Sequence, residues 1–414
     1  MLLLLTISFL CTVILVFSYI ENKNLTAPIV ISFSINLLLY SFLYFFSLTF
    51  KINSYLLIIC LLFFSGFLLI VNRMKITQKV NFNINYISIS SIIIVMIIVY
   101  KYFLRASKWG QWDAWAIWNL HAKFFYYDEN WHQLFTNKIA WSHPDYPLFQ
   151  PLLIALIWKS IGSINYLVPI IFNLIPLIGV VIILNKSVNS KVIGIVLLLF
   201  IMFDSKLIGF FATQYADGFV AFYYLLTISL LVDLIRTKFE NKINVYLLGI
   251  IAAASIWIKN EGMIFFIITC TIIFIFNDYK LFLRFLIGAL PVLLIFMFFK
   301  YVFAPPNDII SGQSTKTIDK ILDYNRYLLI LKYFWNIVWN NFPSIILFVL
   351  LIIFTPLKKR LNYSFLVIVL SLVVYLSIYI ITPHDLKWHL ETSLDRLIFQ
   401  LYPSFLFISF KLLT

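Results

Sequence analysis

Ionisable side chains that could move a proton or bind a phosphate fall in five short polar segments between long apolar runs. They are Asp113; His143 and Asp145; Asp217; Lys259 and Glu261; and His384, Lys387 and Arg396. A carboxylate held close to a hydroxyl group can take its proton. Arg, Lys and His side chains bind phosphate through charge-assisted hydrogen bonds. These residue types therefore offer two chemistries, proton removal and anion binding.

The segment 109–127 carries its acid, Asp113, among tryptophans. A tryptophan recurs at every third position from Trp109 to Trp118, and six of the 11 tryptophans lie between 109 and 141. Because indole prefers the membrane–water interface, we expect an amphipathic helix along the outer surface of the membrane. A carboxylate in such apolar surroundings tends to have a raised pKa, so Asp113 can act as a base. An equally good alternative is an acid favoured by the dipole at the start of a helix.

The next segment, 141–151, has the sequence WSHPDYPLFQP. Its three prolines fix an extended, rigid turn that presents His143 and Asp145. Stiff loops of this kind often position reactive groups. The alternative is a loop that only steers the chain back into the membrane.

Two further segments place charges at the ends of apolar runs. Asp217 opens one such run, where an acid that caps a helix is the strong alternative. Lys259 and Glu261 separate two runs with almost no loop between them. Charges this close to hydrocarbon are costly and often functional, although a hairpin turn with exposed charges is an equal alternative.

The last segment, 383–403, contains His384, Lys387 and Arg396 directly before the final apolar run. Arg396 enters that run, where it must pair or extend to the surface. A phosphate at headgroup level would suit these cations. The alternative is a solvated helical turn with a local ion pair of Lys387 and Glu391.

The elements that must position these residues are transmembrane helices. The chain has 414 residues, of which 63% are hydrophobic and only 12% charged, and this excludes a soluble enzyme, a disordered chain and a secreted disulfide scaffold. The three cysteines lie in apolar runs without metal-type spacing, so no resident metal site is predicted. We read 148–162 as a short helix partly sunk in one leaflet, with a tilted ordinary span as the alternative. Thirteen spans are predicted near 1–20, 25–50, 54–72, 86–104, 165–184, 192–208, 214–235, 243–258, 262–277, 285–303, 333–355, 363–382 and 397–413.

The loops between these spans differ in charge. Loops on one side, among them 73–85, 236–242 and 358–361, carry mostly Lys and Arg, so the positive-inside rule makes that side cytoplasmic. All five histidines fall on the other, outer side. The net charge of +14 is thus explained by membrane topology, and no nucleic-acid partner is expected. The outer loop 304–332 is a candidate lid, with a plain connector as the more economical interpretation.

Taken together, these segments resemble the C-type (GT-C) membrane glycosyltransferases, a superfamily that includes protein O-mannosyltransferases and lipid A aminoarabinose transferases. The family's acid in the first outer loop matches Asp113, and its Pro-Pro-Leu-like segment matches 143–148. Its second acid matches Asp217, and its late basic residue before a proline-containing helix matches Arg396 and Pro403. This chain departs from the family in having Ala114 where a second acid is common, so the family's metal-binding pair is incomplete. A divalent metal is possible, but no cofactor is assigned.

The resemblance implies an all-α polytopic membrane protein, a GT-C-type bundle of about 13 transmembrane helices. The core would be 86–414, with the helices of 1–85 outside it. Such an enzyme transfers a sugar from a polyprenyl-phosphate carrier to an acceptor hydroxyl, with inversion, at the outer face of the membrane. We expect an integral protein of the bacterial cytoplasmic membrane, in contact with membrane lipids, whose acceptor is a lipid, a glycan or a protein.

By the same resemblance, Asp113 is the base and the remaining residues bind substrate. The cations expected at the phosphate are Arg396, Lys387, His384 and Lys259, the acids expected at the acceptor or a metal are Asp145, Asp217 and Glu261, and His143 belongs to the Pro-Pro-Leu-like segment. A lipid-linked glycan polymerase or ligase is an alternative, although its large late outer loop has only the modest 304–332 as a counterpart. A transporter is the other alternative, and it would be expected to have charges near the midplane and matching halves.

Overall fold

The computed structural model describes residues 2–20, 27–71, 89–188, 190–307, 311–312, 317–354 and 363–412. This part of the chain is helical and contains no strand. The α-helices are α1 (Leu2–Ile20), α2 (Pro28–Thr49), α3 (Ser54–Val71), α4 (Ile89–Arg105), α5 (Asn119–Tyr127), α6 (Phe149–Ile161), α7 (Leu167–Ser187), α8 (Lys191–Phe203), α9 (Ser205–Ala212), α10 (Asp217–Arg236), α11 (Lys242–Ile258), α12 (Gly262–Phe276), α13 (Tyr279–Val302), α14 (Thr317–Leu322), α15 (Tyr324–Asn341), α16 (Ser344–Phe354), α17 (Tyr363–Ile381) and α18 (Leu386–Leu412). The predicted all-α class is confirmed.

Six of these helices are individually long and apolar enough to cross a membrane: α2, α3, α7, α10, α13 and α17. The bent pair α8 and α9 adds a seventh if the two form one span. A polypeptide crosses hydrocarbon as a helix because each backbone polar group is then bonded within its own segment. The chain is therefore an integral membrane protein, and the finer count of thirteen spans stays a prediction.

The span predicted at 192–208 is interrupted. α8 ends at Phe203 and α9 begins at Ser205, with a bend of 64° between them. The backbone N–H of Leu207 donates to Asp204 Oδ1 at 2.8 Å, and the Tyr402 hydroxyl donates to Oδ2 at 2.8 Å. An acid inside an apolar run is satisfied better as a helix cap than within a continuous helix, which explains the break.

Two other predicted spans have different bounds. The span at 333–355 is divided into α15 and α16 at Pro343, which cannot continue the backbone hydrogen bonding of a helix. The last helix begins at Leu386 rather than near 397, so the polar residues before the apolar run belong to the same helix. Arg396 is thus held on a rigid element.

The first large loop contains the expected helix in a modified form. A π-helical turn, Ala114–Trp118, leads directly into α5. Trp112 and Trp115 are exposed, whereas Trp118 is fully buried. The tryptophans therefore do not share one face of the helix: Trp112 and Trp115 lie at the surface and Trp118 packs in the core. The π turn contributes to this, because it shifts the helical register.

The short helix α6 is enclosed by protein. It has 13 residues, which span about 20 Å at the α-helical rise. Most of its side chains are buried, and Lys159 near its end lies 2.6 Å from Asp128. α6 is therefore a packed internal element. Its length agrees with the short helix predicted at 148–162, whose depth in the membrane stays a prediction.

Helix α10 lies at the centre of the bundle. In its most apolar stretch of 18 residues, 94% are buried, and it packs against α7, α11 and α18. α11 and α13 approach so closely that a Cβ at Gly249 would lie 2.0 Å from the Phe285 carbonyl oxygen, and one at Gly288 would lie 2.1 Å from that of Tyr246. Small residues at such crossings let helices pack without the hydrophobic driving force that acts in water.

Helix α2 packs on the same bundle. The Tyr44 hydroxyl donates to the Phe125 carbonyl at 2.8 Å, which ties α2 to α5. α2 therefore contributes directly to the support of the first-loop helix. The predicted boundary between the N-terminal helices and the core, after residue 85, falls within 72–88, outside the described residues.

Candidate functional site

Arg396, in α18, joins two acids that are distant in the sequence. Its Nη1 lies 2.7 Å from Asp113 Oδ2 in an ion pair, and its Nη2 donates to Asp217 Oδ2 at 2.8 Å. Its Nε also reaches Asp217 Oδ2, at 3.2 Å. The ring of Tyr215 lies 4.6 Å from the guanidinium carbon, within cation–π range. The guanidinium is therefore fixed by two carboxylates and one aromatic face.

Asp217 is the first residue of α10 and is 1% exposed. Its Oδ2 accepts both bonds from Arg396, and its Oδ1 accepts from Lys259 Nζ at 3.1 Å and from Gln400 Nε2 at 2.6 Å. A carboxylate has about four lone-pair sites, so these donors saturate Asp217. Asp217 therefore organises the cluster and has no acceptor site left for a substrate proton.

Lys259 and Glu261 lie in the turn between α11 and α12. This turn is tight because a Cβ at Gly262 would lie 2.0 Å from the Ser255 carbonyl oxygen. Lys259 Nζ lies 2.9 Å from Glu261 Oε1. Glu261 Oε2 is buried and has no hydrogen-bond partner among the described residues. This oxygen is an unused acceptor beside a buried cation.

The charges of this cluster do not cancel. The three carboxylates are those of Asp113, Asp217 and Glu261, and the two cations are Arg396 and Lys259. All five are at most 22% exposed. Charges of this kind are costly to bury unless they are paired. One excess negative charge thus remains in a largely closed site.

Asp145 is held beside this cluster by a second set of contacts. Its Oδ2 accepts from Asn260 Nδ2 and from Asn307 Nδ2, both at 2.8 Å. Lys300 Nζ donates to the Asp145 carbonyl oxygen and, at 2.8 Å, to Asn260 Oδ1. Asn260 stands between Lys259 and Glu261, so these bonds connect the proline-rich turn to the charged turn.

The proline-rich turn itself is closed by a bond from the Tyr146 N–H to the His143 carbonyl at 2.9 Å. His143 has a φ of +50°, a left-handed conformation that side chains rarely adopt. The His143 and Tyr146 rings stack at 4.9 Å, and Lys259 Nζ lies 6.0 Å from the Tyr146 ring. Burial raises the pKa of Tyr146, and the carboxylates of Glu261 and Asp145 raise it further. His143 therefore reaches the cluster through Tyr146.

Asp113 does not have the purely apolar surroundings expected from the sequence, because Arg396 lies against its carboxylate. The preceding loop is anchored by the Gln111 N–H, which donates to the Thr213 carbonyl at 3.1 Å, and by Gln214 Nε2, which donates to the Ser107 carbonyl at 2.7 Å. These bonds hold the loop of Asp113 against the residues that precede Asp217.

His384 and Lys387 lie outside the charged cluster. Lys387 is 68% exposed and lies 4.0 Å from Glu391, the local pair that the sequence left open as an alternative. The His384 ring contacts those of Trp388 and His389. Near the start of α18, His384 is thus half-buried among aromatic rings and Lys387 is exposed.

Some polar residues of the site were missed from the sequence. Gln400 follows Arg396 by four residues in one helix, a spacing that places both on one face. Lys300 is an ionisable residue inside an apolar helix, which is itself a signal of function. Tyr215, Asn260 and Asn307 have no such signal, because only the fold brings them to the charges.

The acids of the charged cluster are paired with cationic side chains. Among the described residues, no group of three His, Cys, Asp or Glu side chains is arranged to hold a metal ion. The acids that come together here, Asp113, Asp217 and Glu261, are instead bound to Arg396 and Lys259. In the described part of the chain, the cations that hold these acids are thus the side chains of Arg396 and Lys259.

No family model, curated protein or solved structure matches this chain. The resemblance to C-type glycosyltransferases accordingly rests on the short motifs around Asp113, His143, Asp217 and Arg396. What the cluster does must be inferred from its own geometry.

Proposed function

We propose that this protein is an inverting glycosyltransferase that takes a sugar from a polyprenyl-phosphate carrier and transfers it to an acceptor hydroxyl. The observation that carries the proposal is the Arg396 bridge, which holds the partly exposed Asp113 at 2.7 Å and the buried Asp217 at 2.8 Å. A base and a phosphate-binding cation are the two groups that the reaction needs, and here they are in contact.

In the proposed step the acceptor oxygen attacks the sugar carbon from the side opposite the phosphate. A new carbon–oxygen bond forms, the bond to the phosphate oxygen breaks, and its electron pair leaves with the phosphate. Asp113 takes the proton of the acceptor hydroxyl. The leaving phosphate is already a weak base, so it needs cations rather than an acid, and Arg396 and Lys259 are the nearest cations.

The contacts of each acid decide its proposed role. Asp217 is saturated by four donor bonds and fixes both cations. Asp113 is 16% exposed and has one described side-chain donor, Arg396. Glu261 keeps one oxygen unpaired and is suited to accept a hydrogen bond from a hydroxyl of the substrate. Asp145 and His143 position the turn that carries Tyr146.

The location of the site at helix ends supports a reaction at headgroup level. Asp217 opens α10, Lys259 directly follows α11, and Glu261 directly precedes α12. The exposed Trp112 and Trp115 beside Asp113 suit a membrane–water interface. We therefore propose a C-type bundle of about 13 spans in the bacterial cytoplasmic membrane, with its site facing outward.

The test uses the full-length protein in vesicles with labelled polyprenyl-phosphate sugars and membrane-extracted acceptors. We expect transfer of label that Asp113→Asn reduces by about a hundredfold or more, the scale of a lost general base. Asp319→Asn makes the same chemical change in an exposed acid and is expected to keep wild-type transfer.

Undiminished transfer in the Asp113→Asn variant would remove Asp113 as the base. Solute uptake without any sugar transfer would instead favour a transporter, whose ionisable residues also face the bundle interior. Transfer of whole oligosaccharide blocks from a lipid carrier would favour the polymerase or ligase alternative.

A further inference from the structure

Each of the two cations of the charged cluster is in contact with two carboxylates. Arg396 uses Nη1 for Asp113, and it uses Nη2 and Nε for Asp217. Lys259 lies between Asp217 and Glu261, at 3.1 Å and 2.9 Å. A phosphate that approaches either cation therefore meets carboxylates already bound there, and the anions compete for the same N–H donors.

The bond between Arg396 and Asp113 is the one best suited to exchange. Asp217 is 1% exposed and held by four donor bonds, so its release would leave a buried charge without a partner. Asp113 has Arg396 as its one side-chain donor within the described part of the chain, and it is 16% exposed. The backbone of the loop before Asp113 is anchored to Thr213. The pair is therefore broken by rotation of the Asp113 side chain, without movement of the loop.

We infer that the phosphate of the donor and the carboxylate of Asp113 compete for Nη1 of Arg396, so that donor binding switches Asp113 on as a base. The inference rests on the proposed function and deepens it. While Arg396 holds Asp113, the Oδ2 atom of the carboxylate lies 2.7 Å from Nη1 and faces the cation. When a phosphate oxygen takes Nη1, Asp113 is released from Arg396, and its oxygens can turn to the acceptor hydroxyl.

This exchange imposes an order on the reaction. Asp113 is released toward the acceptor after the donor has occupied Arg396, so an acceptor that arrives first meets a carboxylate still bound to Arg396. After transfer, the phosphate product remains on Arg396 and Asp113 carries the proton. Return of Asp113 to Arg396 requires that proton to be lost and displaces the phosphate, so the same pair that restrains the base also assists product release.

The probe for the exchange is a short-chain polyprenyl monophosphate without sugar, which occupies the phosphate site and cannot react. Its dissociation constant is measured for the detergent-solubilised wild-type protein, Asp113→Asn, Asp113→Ala and Asp319→Asn. We expect both Asp113 variants to bind the probe about tenfold more tightly than wild type, because the competing carboxylate is gone. Asp319→Asn, in an exposed acid, is expected to keep the wild-type constant.

The outcomes separate the exchange from the proposed function. Equal or weaker binding by both Asp113 variants, with unchanged thermal unfolding midpoints, overturns the exchange even if the wild-type protein transfers sugar. Absence of binding by wild type and by both variants removes the phosphate site itself, and the proposed function with it. Tighter binding by only Asp113→Ala still supports competition, because the asparagine oxygen can continue to accept from Arg396.

Discussion

Helices α10 and α3 are both long apolar helices, but they differ strongly in how much of their surface is buried within the protein. In their most apolar stretches, 94% of the residues of α10 are buried within the protein, against 11% for α3. α10 begins with Asp217, whereas α3 contains no Asp, Glu, Lys, Arg or His. The more uniformly apolar helix therefore lies at the periphery, and the helix with a charged end lies at the centre.

The physical reason is the solvent. Lipid chains are as apolar as leucine, so an apolar side chain gains little by leaving lipid for protein. A carboxylate at a helix end gains a great deal from partners such as Arg396 and Lys259, which only other helices supply. Polar contacts, more than hydrophobicity, thus select the helices that form the centre of this bundle.

The strongest test of this comparison removes the central cation. Arg396→Met keeps the length of the side chain but leaves Asp113 and Asp217 without their shared partner. We expect a loss of about 3–5 kcal/mol in stability, as for other broken buried ion pairs, together with loss of sugar transfer. The measurement is thermal or denaturant unfolding in detergent, paired with the transfer assay.

Arg105→Met is the matched control, because Arg105 is exposed and its side chain donates to the Lys101 carbonyl and the Ser205 hydroxyl. We expect it to change stability by less than about 1 kcal/mol. Equal losses in the two variants would show that the charged cluster does not organise the centre.

A second test uses His121, which is buried in α5 beside the site. Its Nε2 lies 2.9 Å from the Ser142 carbonyl oxygen, and burial lowers the pKa of the ring to about 3. The unfolded chain binds a proton at this ring below about pH 6.5, whereas the folded protein stays neutral there until about pH 3. Stability is therefore present above pH 6.5 and falls as the pH decreases below it.

Between pH 7 and pH 5 this ring is expected to cost about 2 kcal/mol. His121→Gln keeps a donor for Ser142 but cannot titrate, so its unfolding midpoint should fall less over that pH range than that of wild type. His132→Gln, at an exposed position, is the control and should follow wild type. A pH dependence in His121→Gln that matches wild type would contradict the assignment.

The smallest expected effect tests the periphery. Phe63 in α3 is 74% exposed, whereas Phe219 in α10 is fully buried. Phe63→Ala should change stability by less than about 0.5 kcal/mol, because the ring leaves lipid or detergent rather than a packed core. Phe219→Ala should cost about 3–5 kcal/mol through the cavity that it creates. Similar unfolding midpoints for the two variants would mean that α3 is packed in the membrane as tightly as α10.

Most of the helical organisation was predictable because apolar runs near 20 residues leave few other options in a membrane. The predicted spans have the wrong bounds where a single residue interrupts an apolar run. Asp204 breaks a predicted span by capping α9, and Pro343 divides another. The last helix extends back to Leu386 because its polar first turns continue the same backbone pattern.

The candidate site was predictable in its residue types more than in its partners. Asp217, Lys259 and Arg396 stand out as charges beside apolar runs, where burial without a partner is costly. Asn307 and Tyr215 carry no comparable signal, and their roles depend on contacts with Asp145 and Arg396. Conversely, His384 and Lys387 look as strong in the sequence as Arg396, but they lie outside the charged cluster, His384 half-buried and Lys387 exposed.

The sequence by itself determined an all-helical membrane protein with its titratable groups gathered in a few polar segments, because hydropathy and helix length are local properties. Only the tertiary structure decided that Asp113, Asp217 and Arg396 form one ion-paired unit, and that Asp217 is saturated while Asp113 has a single donor. Contacts between residues 179 positions apart, such as that of Arg396 with Asp217, depend on how helices pack. Helix packing is set by many weak contacts together, and no local pattern of residues encodes it.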